Sequence, residues 1–118
     1  MPDVQIPLSL DPKKTRIDKF LQWPAGDFGD KIQVTVLDKD GNAEDITGIT
    51  PRWIMFRTFG MQEIFNRDMT VVTGTAGRSD YTVVQSDFEV RAIFFARCVL
   101  INGTTSQRAT EYCIFRVI

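Results

Sequence analysis

The stretch from Val36 to Gly48, VLDKDGNAEDITG, gathers four carboxylates, Asp38, Asp40, Glu44 and Asp45, around one glycine. Carboxylates at this spacing suit two chemistries: calcium binding, and acid–base catalysis by a carboxylate pair. A helix–loop–helix calcium site needs oxygen ligands at positions 1, 3, 5 and 12 and glycine at position 6. Counted from Asp38, the early ligand positions hold Asp38, Asp40 and Asn42, but position 6 is Ala43 and position 12 is Ile49. The residue that should turn the loop and the residue that should close the coordination shell are both wrong. A catalytic carboxylate pair needs a cleft that drives two pKa values apart, whereas a stretch this charged is a solvated tip. A mechanical role remains. Asp40-Gly41 supplies the positive φ for a tight reversal between strands. Asp45 accepts backbone N–H groups as the chain turns again. Ile46 plugs the end of the core, and Thr47 and Gly48 bend the chain toward Trp53.

Other chemistry-bearing residues are sparse. Histidine is absent from the 118 residues, which removes Ser–His–Asp and Cys–His catalysis and the commonest metal ligand. Cys98 and Cys113 are expected to be free thiols in the core, and a zinc site needs more ligands than these two. TGTAGRSD has glycines but lacks the Gly-Lys-Ser/Thr ending of a phosphate-binding loop, so it reads as a plain loop. Asn102-Gly103-Thr104 is formally a glycosylation acceptor and reads as a hairpin turn. A two-residue turn there places Cys98 opposite Gln107; a six-residue loop brings the two cysteines to a diagonal. No catalytic residue, cofactor or metal is assigned, and no enzyme is expected.

The elements that position these residues are strands. KIQVTVLD alternates, with Ile32, Val34 and Val36 on one face and Lys31, Gln33 and Thr35 on the other. TPRWIMFRTF puts Trp53, Met55 and Phe59 on one parity and Ile54 and Phe56 on the other. DYTVVQ is a short β-forming run. VRAIFFARCVLI and RATEYCIFRVI are long ones separated by NGTTSQ. VQIPLSL and RIDKFLQW add two candidates near the start, the first with a proline that suits an edge. The one helical turn expected is QSDFE, with Ser86 as its cap. The pattern predicts an all-β chain: a single domain over residues 1–118, folded as an Ig-like antiparallel β-sandwich of about seven to nine strands.

Composition narrows the partners. The chain is 43% hydrophobic and 25% charged, with a net charge of −1. Bulk electrostatics therefore draw it neither to nucleic acid nor to an anionic membrane. No apolar run approaches the roughly 20 residues needed to cross a bilayer. The first residues lack the basic start and apolar stretch of a signal peptide, so folding in a cytoplasm is expected. Residues 51–118 contain eight arginines and no lysine, a bias toward planar, multidentate contacts. Basic residues interleave with aromatic ones in RAIFFARC and around Arg57 and Phe59, as in single-strand nucleic-acid binders, but the near-neutral charge argues against that use.

The last two long runs carry an unusual outward face. In 91–101, Ala92, Phe94, Ala96, Cys98 and Leu100 form the core parity. The other parity is Arg91, Ile93, Phe95, Arg97, Val99 and Ile101. In 108–118, Cys113, Phe115 and Val117 face the core, and Ile114, Arg116 and Ile118 face away. Large apolar groups mixed with arginine on an outward face have the composition of a protein contact surface. Phe95, framed by Arg91 and Arg97, is its expected anchor, and Arg91, Ile93, Phe95, Arg97, Ile114 and Arg116 are the candidate interface residues. The competing reading is that a loop or the N-terminal segment folds over this face.

Taken together, the motifs resemble the N-terminal domain family of phage baseplate upper proteins. Those domains pair a D-x-(D)-G-x-x-x-D-[apolar]-T-G hairpin with a closing apolar-x-apolar-x-Val strand. Here the hairpin is Asp38, Asp40, Gly41, Asp45, Ile46, Thr47 and Gly48, and the ending is Cys113, Phe115 and Val117. The match is one of pattern, spans nearly the whole chain and is sharpest in DG…DITG. The resemblance implies an Ig-like virion structural domain of the tail or baseplate with no catalytic residues. Its partners would be other virion proteins and copies of itself, with no nucleic acid and no membrane. It would be assembled in the bacterial cytoplasm and reside in the virion. Family members usually continue into a C-terminal region that holds the receptor-binding part. This sequence ends at Ile118, so a plugging, decorating or joining role is expected. Two alternatives stand beside it. One is a capsid- or neck-associated decoration or fibre-anchoring protein. The other is a carbohydrate-binding β-sandwich adhesin that stacks host glycans on Trp23, Trp53 or Tyr112.

Overall fold

A computed structural model of the chain describes residues 3–10, 20–58, 61–104 and 106–118. The alternating runs become strands whose apolar parity turns inward. Ten strands are described: β1 (Val4–Ser9), β2 (Phe20–Trp23), β3 (Lys31–Leu37), β4 (Thr50–Thr58), β5 (Met61–Asp68), β6 (Thr70–Thr73), β7 (Arg78–Thr82), β8 (Ala92–Asn102), β9 (Ser106–Ala109) and β10 (Cys113–Val117). They form two sheets, one ordered β1-β3-β7-β6 and the other β2-β10-β8-β4-β5, with β9 paired to β8. The architecture is the expected β-sandwich. Arg16–Lys19 of the run RIDKFLQW, and Phe59 of the β4 parity, lie outside the described residues.

The core sits where the inward parities meet. Ile32, Val34 and Val36 of β3 and Ala96 and Cys98 of β8 are fully buried. Trp23, Trp53, Phe88 and Phe115 fill the centre, with the Phe88 and Phe115 rings stacked 4.6 Å apart. Burying an aromatic side chain of this size stabilises the fold by about 2–3 kcal/mol each.

Four features differ from the sequence reading, each for a physical reason. First, β1–β3 and β2–β10 pair in parallel. Between the members of each pair the chain visits the other sheet, so no hairpin joins them and forces them antiparallel. Second, β5, β6 and the division of the closing run bring the strand number to ten, and β5 was the longest strand not anticipated. Its residues Gln62, Glu63, Asn66 and Arg67 conceal it, because an edge strand with wet surroundings needs no apolar alternation. Third, β7 begins at Arg78, inside the segment read as loop; its polar residues pair with both β3 and β6. Residues 85–88 form a turn, not a helix. There the Asp87 carboxylate, rather than Ser86, accepts a backbone hydrogen bond, from Val84 N at 3.0 Å.

Fourth, the closing run RATEYCIFRVI is two strands. Val99 pairs with Ala109 in β9, but Ala96 pairs with Cys113 in β10. The register therefore shifts by one residue, and Glu111 is the extra one, a β-bulge in effect. Its N–H donates to Ser9 O at 2.8 Å, and its Oε2 accepts Ser9 N–H at 2.8 Å. The bulged residue thus fastens β1 of one sheet to the β9–β10 junction of the other.

Candidate assembly surface

The acidic stretch links β3 to β4, which belong to different sheets. It is a crossover around one end of the sandwich, not a hairpin between paired strands. The reversal inside it is local. Leu37 bridges Ala43, Asp38 N donates to Asn42 O at 2.7 Å, and Glu44 N donates to Val36 O at 2.9 Å. Asp38 organises the turn: its Oδ1 accepts the N–H groups of Asp40 and Asn42 at 2.9 and 3.0 Å. Asp40 is exposed at the tip, and Gly41 adopts φ +87°. An aspartate whose carboxylate accepts N–H groups just ahead of it is the side-chain mimic of a backbone turn. The sequence reading placed the positive φ at Asp40-Gly41, where Gly41 has it, but passed over Asp38 as the acceptor that holds the turn.

The second half of the stretch is clasped by residues 74–77. Asp45 Oδ1 accepts from Thr47 Oγ1 at 2.6 Å and from Thr47 N at 3.0 Å, and these bonds hold its pKa below the ordinary 3.8. Ile46 is fully buried, and its N–H donates to Gly74 O at 2.9 Å; Gly48 follows at the surface. Gly77 has φ +69°, and a Cβ there would lie 2.6 Å from Val36 O and 2.7 Å from Glu44 O. Glu44 also pairs with Arg108 at 2.9 Å. Among the described residues, no group of three or more Cys, Asp or Glu is placed to hold a metal ion. The carboxylates here order a backbone.

On the outer face of the larger sheet, the register sets Ile114 beside Phe95, Phe95 beside Phe56, and Arg116 beside Ile93. Four of the six candidate interface residues therefore share one patch, with Arg91 exposed just before β8. Arg97 lies at the edge of this patch and is turned over its neighbours. Its guanidinium lies 5.6 Å from the Phe56 ring and 4.8 Å from the Tyr112 ring, and Tyr112 meets Phe56 edge-on. Beneath this roof Ile54, Phe56 and Val99 form a second buried cluster. Val99, expected outward and available, is only 1% exposed. Part of the outward face is thus covered by its own side chains. Phe95 is half-buried, so the most available apolar side chain of the patch is Ile93, at 53% exposure. Arg91, Ala92, Ile93, Arg116, Val117 and Ile118 line an open depression of about 440 Å³.

That depression belongs to the end of the sandwich opposite the acidic crossover. Ala25 N donates to Ile118 O, Gly26 N to Phe88 O and Gly29 N to Val83 O, which ties the loops 24–30 and 83–91 to the last residue. Phe28, Ile64, Val84, Val90, Ile93 and Ile118 are exposed toward this end; among the described residues only Val71 and Val72 are comparably exposed large apolar side chains elsewhere. Phe28, Ile64, Val84 and Val90 were missed because they lie in loops or in the polar strand β5. The end is nevertheless well fixed. The Asp87 carboxylate is fully buried, accepts from Tyr81 OH and Val84 N, and sits 3.1 Å from Arg67. Burial, then the bond to Asp87, raises the Tyr81 pKa above the ordinary phenol range.

Cys98 and Cys113 are free and buried, and the β8–β10 register sets them on a diagonal. The joining loop has neither of the two lengths considered, since Asn102 pairs with Ser106; the bulge at Glu111 produces the diagonal. Burial pushes both thiols up to about 12. Trp23 and Trp53 are 0% exposed, so neither indole offers a face to a sugar, and Tyr112 is overlaid by Arg97.

No protein-family model matches the sequence, and no curated protein matches it. Among solved structures, the fold is similar to the N-terminal domain of phage TP901-1 ORF48. The TM-score is 0.77 at 11% sequence identity, covering 99% of this chain and 98% of that chain. At that identity the likeness is one of fold.

Proposed function

We propose that the chain is a bacteriophage virion structural component, of the tail or baseplate, that works by protein–protein assembly and catalyses no reaction. Two lines support the phage assignment. One is the end-to-end fold likeness to a domain of a phage protein. The other is the DG…DITG pattern, which resembles that of baseplate upper proteins. The observation that carries the assembly role is the concentration of exposed apolar side chains at one end, the end that also presents Ile93, Arg91 and Arg116. Isolated exposed apolar residues are ordinary, but a concentration of them beside arginines has the composition of a contact surface. Ile93 is already half-buried, so covering the rest of it contributes about 1 kcal/mol, and repeated copies in a particle multiply it. Other virion proteins and further copies of the chain are the partners this surface fits.

The test uses particles of the phage or prophage that encodes the chain. Ile93→Asp is expected to fold normally and to be depleted from purified particles by quantitative mass spectrometry. Normal copy number with that variant overturns the reading.

A further inference from the structure

The depression around Ile93 and the acidic crossover carry opposite charge, although loops 24–30 and 83–91 also bring Asp27, Asp30 and Glu89 to the apolar end. At the apolar end, Arg91 and Arg116 are the charged residues lining the depression around Ile93 and Ile118. Glu89 and Arg57 line a separate depression beside it. At the opposite end the crossover holds Asp38, Asp40 and Asp45, with Lys39 between the first two. Asp38 and Asp45 are pinned by the backbone N–H groups they accept, so the loop presents its charge in a fixed shape. β8 has eleven residues. At about 3.3 Å per residue it spans roughly 36 Å, matching the long dimension of the molecule, 35 × 28 × 25 Å. The two surfaces therefore lie a full strand length apart and cannot meet within one chain.

We propose that the arginine-flanked depression at the apolar end receives the acidic crossover of a second copy, so that copies associate head to tail. This rests on the reading of the apolar end as a contact surface and names its occupant. Such a contact joins two different surfaces, so it propagates into a ring or a row instead of closing as a twofold dimer. An end face of 28 × 25 Å offers on the order of 500 Å² per copy, so each contact sits near the lower bound for a specific interface. The association is accordingly weak in dilute solution, strengthened where copies are already gathered, and suppressed by salt.

The test is sedimentation velocity on the full chain across a concentration series at low and high salt. The wild type is expected to show at least about a twofold rise in weight-average mass at low salt, with species beyond the dimer, lost at high salt. The double variant Arg91→Glu with Arg116→Glu, and separately Asp40→Lys, should each stay monomeric. Mixed one to one, the two variants should associate again, because each supplies the sign the other has lost. A wild type that stays monomeric at every concentration overturns the head-to-tail contact, as does a mixture without rescue. If Ile93→Asp is still depleted from particles in that case, the assembly reading stands and only the occupant is wrong.

Discussion

At the end built by residues 38–48, Asp38 and Asp45 use their hydrogen-bonding capacity within the loop, and the one large apolar side chain there, Ile46, is driven fully inside. At the end built by residues 24–30 and 83–91, a carboxylate, Asp87, is buried beside Val83 and Phe88, while Phe28, Val84 and Val90 face water. The arrangement is inverted between the two ends. Charge crowded into a few residues looked like chemistry and proved to be architecture. Apolar residues scattered through loops looked like nothing and make the surface with something left to bury.

The inversion can be broken most severely at its clasp. Gly77→Ala combines a left-handed φ, which costs about 1–2 kcal/mol, with a Cβ driven into the carbonyls of Val36 and Glu44, an overpacking cost of about 1–3 kcal/mol. Urea unfolding should show a loss of about 3 kcal/mol. Gly41→Ala shares the left-handed φ but has nothing within 4 Å, and should lose only about 1 kcal/mol. Equal losses would mean that contact between the crossover and residues 74–77 does not hold this end.

Arg97→Ala comes next. It removes the roof over Phe56 and Tyr112 and should cost about 1 kcal/mol in the same experiment. A neutral result would return that part of the face to the list of docking surfaces. Asp45 gives a smaller, pH-dependent effect. Its folded-state pKa is lowered by the hydroxyl and amide of Thr47, so its contribution is complete above the unfolded value near 3.8 and disappears as pH falls through the folded value. Asp45→Asn should therefore flatten the decline of stability below about pH 4, read from melting temperatures across acid buffers. The smallest stability effect belongs to the apolar end: Ile93→Asp, at a half-exposed position, should move the unfolding free energy by no more than about 0.5 kcal/mol. A large destabilisation there would show that the end is core and not contact.

The strands with clean period-two alternation were legible because each has one wet and one dry face, as in β3 with Ile32, Val34 and Val36. Legibility failed where a strand did not need that contrast. β5 is polar because it lies at an edge, and β7 is polar at its start because backbone pairing on both sides holds it. The cover that Arg97 forms over Tyr112 was hidden for a different reason. Arg97 covers Tyr112 only because the bulge at Glu111 shifts register, bringing Tyr112 to the outer face beside it. No local pattern reports a one-residue slip between two otherwise regular runs. Arg91, Ile93, Phe95, Ile114 and Arg116 were found because the β8–β10 pairing keeps their alternation intact. The loop residues Phe28, Val84 and Val90 are exposed at the same end but lie outside any alternating strand that would report them.

The diagonal cysteines give this sandwich a built-in timer. With both thiols sealed between the sheets and their pKa values near 12, a thiol reagent can react only with molecules whose layers have parted. Labelling speed would then count openings of the whole block under native conditions, with no probe engineered in, and would slow when neighbours hold its two ends in a packed particle.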